Sequence, residues 1–179
     1  MREFTYESLL DDYALVQQGV KNLGDEHFEH FAFSSPGERD TFRVDLLNEI
    51  RKDYAFKLLT LLESDVRKDF LASLRSRRRD EVSRGYRDLC QEYRRETRQV
   101  TRRAIQACSR MPLDRIFDKL RDSFSGIDEA FRRVCSETKG YFSFRNWYAH
   151  GRIHAMPVVP DPEDVYAAYE QFWEKVLDR

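Results

Sequence analysis

The feature that most constrains this chain is an apolar stripe of helical period in its second quarter. The residues that form it are Phe42, Leu46, Ile50, Tyr54, Leu58, Leu62, Val66, Phe70 and Leu74. Neither Gly nor Pro occurs between Gly37 and Gly85. Spacings of three and four residues place such side chains on one face of an α-helix. A helix of this length needs further helices to cover its apolar face, so the stripe predicts a helical fold.

The start of this helix is marked by Ser35-Pro36-Gly37-Glu38. Ser35 suits the N-cap, Pro36 suits the first helical position, and Glu38 completes a capping box. The other predicted helices run from Thr5 to about Leu23, through Tyr86 to Cys108, from Pro112 onward, from Tyr141 to His150, and onward from the cap Asp161. The predicted buried face of the last helix comprises Val165, Tyr169, Phe172, Trp173 and Val176.

No segment alternates polar and apolar residues as a β-strand does. We therefore predict an all-α bundle of about five to six helices. We assign residues 1–179 to one domain, with an N-terminal helix and loop in residues 1–35 and the bundle in residues 36–179.

The cysteines and the apolar runs bear on the compartment. Cys90, Cys108 and Cys135 are odd in number and far apart, which favours reduced thiols over a disulfide framework or a zinc site. No apolar run approaches the roughly 20 residues that span a bilayer, and the first residues have no signal-peptide apolar core. These features predict a cytoplasmic protein.

Charge is distributed unevenly along the chain. Residues 67–110 contain 14 Lys and Arg but six Asp and Glu, an excess of eight positive charges, within a chain of net charge −1. Such a basic stretch can attract a polyanion. It is also compatible with a solvated helix face of mixed charge that forms i,i+4 ion pairs.

The segment Arg145-Asn146-Trp147-Tyr148-Ala149-His150-Gly151 combines the residue types that phosphodiester chemistry uses. A guanidinium clamps phosphate with a planar fork of donors, and an imidazole exchanges protons near neutral pH. Cleavage of RNA without metal needs a base for the 2′-hydroxyl, an acid for the leaving oxygen and positive charge on the phosphorane. His150 suits the first two roles, and Arg145 suits the third.

This segment resembles the Arg-x4-His signature of the HEPN superfamily, in which a polar residue, here Asn146, follows the Arg. Residues 63–71, 112–116 and 161–165 are similar to the RiboL-PSP type of HEPN domain, so the resemblance spans roughly residues 40 to 179. It implies a helical homodimer that acts as a metal-independent endoribonuclease in toxin–antitoxin or phage-defence systems. Some members of the superfamily are inactive binding domains. HEPN toxins regulated by a nucleotidyltransferase carry a Tyr two positions after the His, where this chain has Arg152, so that regulation is not expected here.

One chain supplies one motif histidine, whereas acid and base together require two. A two-fold dimer that faces His150 against its symmetry mate would supply both in one cleft. Asn146 is expected to bond the phosphate or fix an imidazole tautomer. Arg145 and His150 are about 140° apart on an ideal helix, so a helix end at the motif would help them converge.

The remaining site candidates surround this motif. Arg102, Arg103, Tyr148 and Arg152 are candidates for substrate binding. Glu63 and Arg67 are one helical turn apart and are either orienting residues behind the site or an ordinary i,i+4 pair. No cofactor or metal is expected, although Glu26-His27-Phe28-Glu29-His30 has ligand-like spacing that a surface turn also explains.

Three functions remain open at this point. The leading one is an endoribonuclease with an RNA substrate and a possible antitoxin or defence partner. The second is an inactive module that binds RNA, nucleotide or protein, and the third is an Arg-rich regulator that binds DNA.

Overall fold

The computed structural model describes residues 5–24, 35–76, 78–97, 104–151 and 155–178. Over these residues all regular structure is helical, which confirms the predicted all-α bundle. The elements are α1 (Tyr6–Lys21), α2 (Pro36–Arg75), α3 (Glu81–Glu96), α4 (Ala104–Cys108), α5 (Leu113–Ser123), α6 (Glu129–Ala149) and α7 (Pro162–Phe172), which a π-helical turn (Trp173–Leu177) continues.

The central element of the bundle is α2, which contacts every other helix. It begins as predicted: the Ser35 side chain accepts a hydrogen bond from the Glu38 N–H, and the Glu38 carboxylate accepts one from the Ser35 N–H. Its second half carries the buried residues Ala55, Leu58, Leu59, Leu62, Val66 and Phe70. The first half of the predicted stripe lies nearer the surface, and the ring of Phe42 is exposed.

Aromatic side chains fill the core among α5, α6 and α7. The Phe117 ring of α5 lies 5.3 Å from Phe142 of α6 and 5.4 Å from Phe172 of α7. Phe131 of α6 also contacts Phe172, at 5.1 Å between ring centroids. Large buried rings of this kind contribute much of the apolar burial that stabilises a small helical domain. They fix α6 in the position that presents its C-terminal end beside α2.

Two predicted helix boundaries are wrong. The helix predicted through Tyr86 to Cys108 is divided, since α3 ends at Glu96 and α4 begins at Ala104. The Thr97 hydroxyl donates to the Tyr93 carbonyl at that end, and residues 98–103 lie outside the described ranges. In contrast, the separate helix predicted for Tyr141 to His150 is the last part of α6, which passes through Gly140 without a break. One helical glycine costs only about 1 kcal/mol, and the packing of Phe142 and Phe144 offsets that cost.

Two expectations for the last helix also need correction. Asp161 is at the N-cap of α7 but makes no side-chain capping bond, and its carboxylate instead pairs with Arg51 at 3.2 Å. Trp173 was predicted to be buried, yet it is 49% exposed. The π-helical turn that begins at Trp173 changes the angular position of the residues along it, while Val176 stays in the core.

The prediction of three reduced thiols is wrong for two of them. Cys90 of α3 and Cys108 of α4 form a disulfide, with their Cα atoms 5.8 Å apart. A sequence separation of 18 residues did not reveal this proximity, because it depends on the packing of α4 against α3. Cys135 is free and buried, and burial raises the pKa of its thiol to about 12, so it remains protonated near neutral pH.

Removing the disulfide should measurably destabilise the protein. We expect the double variant Cys90→Ala/Cys108→Ala to lose about 3 kcal/mol, because the crosslink restricts the unfolded chain. This loss corresponds to a Tm lower by about 6 to 12 °C for a chain of this size. Thermal unfolding with and without a dithiol reductant measures it. The reductant should lower the Tm of the wild type and leave that of the double variant unchanged, and a wild-type Tm that ignores the reductant would contradict the prediction.

No helix in the described parts of the chain combines the length and apolar character needed to cross a membrane.

Candidate functional site

The Arg-x4-His motif occupies the C-terminal end of α6. His150 is the C-cap residue, its side chain is exposed, and its N–H donates to the Asn146 carbonyl at 3.0 Å. Gly151 follows with a φ of +83°, a left-handed conformation that glycine adopts readily and that ends the helix, as the sequence predicted. The helix therefore ends directly after His150, while Arg145 lies within its last two turns.

Arg145 of α6 forms an ion pair with a residue of α2. Its Nη2 lies 2.8 Å from Oε2 of Glu63, and its Nη1 donates to Oδ1 of Asn146 at 3.2 Å. The Glu63 side chain is 17% exposed and that of Arg145 is 24% exposed, so solvent screens this pair less than an open surface pair. This ion pair fixes the Arg145 guanidinium where α6 contacts α2.

Glu63 binds a second arginine with its other oxygen. Nε of Arg67 donates to Oε1 of Glu63 at 2.8 Å, and Nη1 of Arg67 donates to the backbone carbonyl of Met111 at 3.0 Å. Glu63 and Arg67 therefore form the ordinary i,i+4 ion pair that was one of the two interpretations. The Glu63 carboxylate also orients Arg145. We name the set Glu63, Arg67, Arg145 and the Met111 carbonyl the arginine clamp.

The clamp leaves part of Arg145 available to a ligand. Each Nη atom carries two hydrogens, and the contacts to Glu63 and Asn146 use one hydrogen of each. Nε of Arg145 is buried and has no hydrogen-bond partner in the described structure, which costs free energy. The remaining hydrogen on each Nη belongs to a partly exposed side chain and can donate to a phosphate oxygen.

The other predicted site residues are placed as follows. Asn146 is exposed beside Arg145. Tyr148 is half-buried, and its ring packs on Phe56 at 4.9 Å and on Phe144 at 5.6 Å, so it supports the contact of α6 with α2. Arg102, Arg103 and Arg152, together with the histidine-rich segment of residues 26–30, lie outside the described residues.

The basic excess predicted from the sequence is spread over several surfaces. Arg84 and Arg95 are exposed on α3, and Arg110 is exposed just beyond α4. Arg67 instead pairs with Glu63 at 2.8 Å, and Lys68 pairs with Asp65 at 2.9 Å. The described arginines therefore divide between ion pairs and open surface, and both interpretations of the charge run apply to part of it.

Among the described residues no group of three or more His, Cys, Asp or Glu is arranged to hold a metal ion. A cavity of about 350 Å³ lies between α1, α2 and α7, lined by Tyr6, Leu61, Asp65 and Tyr169 among others. The clamp residues do not line this cavity.

Sequence reasoning missed the link between Glu63 and Arg145. The one-turn spacing of Glu63 and Arg67 was visible, but nothing in the sequence indicates that α6 crosses α2 at Glu63. The Met111 carbonyl is a backbone group and leaves no sequence signal at all. In comparisons with protein-family models, curated proteins and solved structures, nothing matched this chain. The argument for function therefore rests on the residues and geometry of the chain itself.

The arginine clamp leads to a prediction for Glu63. In Glu63→Gln the side chain keeps its shape but loses its charge and presents N–H donors where an arginine donates. We expect RNA cleavage to fall about 10- to 100-fold, the range expected when a charged group is displaced by about 1 Å. Cleavage rates at saturating RNA measure the effect. Glu49→Gln is the matched control, because Glu49 pairs with Lys52 on the exposed first half of α2. Equal loss in both variants, or in neither, would contradict the prediction.

Proposed function

We propose that this chain is a metal-independent endoribonuclease that cleaves RNA through attack of the 2′-hydroxyl on the adjacent phosphate. The observation that carries the proposal is the end of α6, where a guanidinium fixed by Glu63 and an exposed imidazole belong to one short segment. A fixed cation beside a group that transfers protons is the minimum that this reaction requires.

Each residue has a defined role in the proposed reaction. Arg145 binds the non-bridging phosphate oxygens and stabilises the charge that develops on the phosphorane. His150 removes the proton of the 2′-hydroxyl or delivers one to the leaving 5′-oxygen. Asn146 orients Arg145 through its side-chain oxygen and offers its amide N–H group to the phosphate. The bond from phosphorus to the 5′-oxygen breaks as the bond to the 2′-oxygen forms.

The proposed active form is a homodimer. The described part of each chain contributes one motif imidazole, and two are needed to serve as base and acid in the same turnover. A two-fold axis near the exposed end of α6 would bring a second Arg145 and His150 into one cleft. The exposure of Asn146 and His150 at this helix end is compatible with such a partner.

The biological setting follows from the resemblance to HEPN domains. We propose a cytoplasmic protein that acts in phage defence or as a toxin, with an antitoxin or other defence protein as a possible partner. Its RNA target would be bound with help from the arginines around residues 94–103.

The second candidate function is an inactive HEPN module that binds RNA, nucleotide or protein. The observation that favours it is the Glu63 carboxylate, which neutralises part of the positive charge that Arg145 brings to a phosphate. Salt-sensitive RNA binding without product after long incubation would support this alternative.

A comparison of two substrates separates these functions. The purified chain is incubated in excess chelator with an RNA oligonucleotide and with the same oligonucleotide carrying 2′-deoxyribose at the mapped cut site. We expect cleavage of the first and none at that position in the second, because the nucleophile is missing. Equal cleavage of both substrates would remove the proposed nucleophile, and cleavage of neither would favour the binding module.

A further inference from the structure

We propose that the Cys90–Cys108 bond is a reversible redox control on the position of Arg145. The inference concerns the regulation of the motif region, and it rests on the proposed function only where it predicts RNA cleavage. It begins from a covalent two-state element, a thiol pair that is either joined or separate. Such an element gives a coupling between two sites a physical basis.

A continuous set of contacts joins this element to the motif. The Cys108 carbonyl accepts a hydrogen bond from the Met111 N–H at 3.0 Å. The Met111 carbonyl accepts from Arg67, Arg67 donates to Glu63, and Glu63 pairs with Arg145. Cys108 and Met111 are each 1% exposed, so packing restricts their alternative positions.

The oxidised state fixes this chain of contacts. The disulfide attaches α4 to α3, which holds the turn at Met111 against α2. Arg67 is then divided between two acceptors, with Nη1 on the Met111 carbonyl and Nε on Glu63. The second oxygen of Glu63 remains free for Arg145.

The reduced state removes the covalent tie. The helix α4 has only five residues, and without the disulfide noncovalent packing and hydrogen bonds alone hold the turn at Met111. When the Met111 carbonyl moves away, Nη1 of Arg67 loses its acceptor. Arg67 then competes for both oxygens of Glu63, and Arg145 loses its anchor.

The chemical step is an ordinary thiol–disulfide exchange. The two thiols, Cys90 and Cys108, lose two protons and two electrons, which reduce one molecule of a small disulfide, RS–SR, to two RSH. A dithiol reductant reverses the step. Because Cys90 and Cys108 are 7% and 1% exposed, exchange requires local opening of α4, and its rate is slower than that of an exposed pair.

The test records the NMR spectrum of the ¹⁵N-labelled full chain, oxidised with glutathione disulfide and then reduced with dithiothreitol, at a temperature well below the unfolding transition. Alkylation counts the thiols: one reactive thiol, Cys135, is expected in the oxidised protein and three in the reduced protein under denaturing conditions. We expect the Arg145 Nε–H signal and the Asn146 amide signal to shift between the two states. Cleavage of RNA should fall about tenfold on reduction.

Two variants distinguish a redox effect that passes through Arg67 from a general loss of rigidity. In Arg67→Gln the Arg145 and Asn146 signals should no longer respond to the redox state, because the connecting side chain is missing. In the control Arg75→Gln, at the exposed end of α2, the response should persist. Cys90→Ser, which cannot form the bond, should give the reduced spectrum under both conditions.

The outcomes for the coupling and for the proposed function are distinct. A redox-dependent Arg145 signal that Arg67→Gln abolishes supports the coupling, even if neither state cleaves RNA. An Arg145 signal identical in both states, while the Cys90 and Met111 signals shift, overturns the coupling even if the protein is an active ribonuclease. A response that survives in Arg67→Gln also overturns it.

Discussion

Replacing His150 with Ala is expected to reduce RNA cleavage about 10²- to 10⁴-fold, the range that a positioned proton-transfer group contributes. The residue is exposed, and its backbone N–H donates to the Asn146 carbonyl, a hydrogen bond that Ala retains. The fold should therefore be preserved, with a Tm within about 2 °C of the wild type. Single-turnover cleavage of a labelled RNA in chelator measures the loss.

Two controls make this result specific. His154→Ala removes an imidazole four residues further along the chain, one to which we assign no role, and should leave the rate unchanged. If the dimer supplies a composite site that needs two imidazoles, a heterodimer of one wild-type and one His150→Ala chain should be inactive, so an excess of the His150→Ala chain should lower the cleavage rate of the wild type. Unchanged cleavage by His150→Ala would end the assignment of this residue.

The second large effect is expected for Arg145→Ala, which should lower the cleavage rate about 10²- to 10³-fold, as the loss of a fixed donor to a developing anion does. Arg145→Lys should restore little of the activity. A lysine ammonium is a point charge and cannot contact Glu63, Asn146 and a phosphate with the geometry of a planar fork. The ratio of each variant's cleavage rate at saturating RNA to the wild-type rate reports how much Arg145 stabilises the transition state.

The matched control for Arg145 lies on the same helix. Arg132→Ala removes a guanidinium that pairs with the exposed Glu129 near the start of α6, and it should leave the rate within about twofold of the wild type. Loss of RNA binding without loss of the bound-state rate in Arg145→Ala would show that the residue binds substrate and transition state equally, and it would contradict the proposed role in stabilising the phosphorane.

Much of the helical organisation was readable from local patterns. The capping box of Ser35 and Glu38, the stripe of α2 and the termination at Gly151 all depend on residues within one or two turns of each other. Predictions failed where packing overrode local preference. Gly140 is a weak helix former, yet α6 continues through it because Phe142 and Phe144 are buried on the same helix.

For the candidate site, too, some features could be predicted from the sequence and others depended on packing. The sequence identified Arg145, Asn146 and His150 as one segment and placed Glu63 and Arg67 one turn apart. It gave no indication that one carboxylate binds both arginines, because that contact depends on how α6 crosses α2. The pairing of Cys90 with Cys108 likewise depends on the return of the chain after α3 and was predicted wrongly.

By itself, the sequence determined the all-α class, the start of the long central helix and the identity of the residues at the end of α6. These follow from side-chain periodicity and capping, which act between near neighbours in the chain. Only the tertiary structure decided that Glu63 holds Arg145, that the Met111 carbonyl holds Arg67, and that two cysteines are joined. The physical reason is that these contacts link residues distant in sequence, and their geometry is set by the packing of whole helices around a shared core.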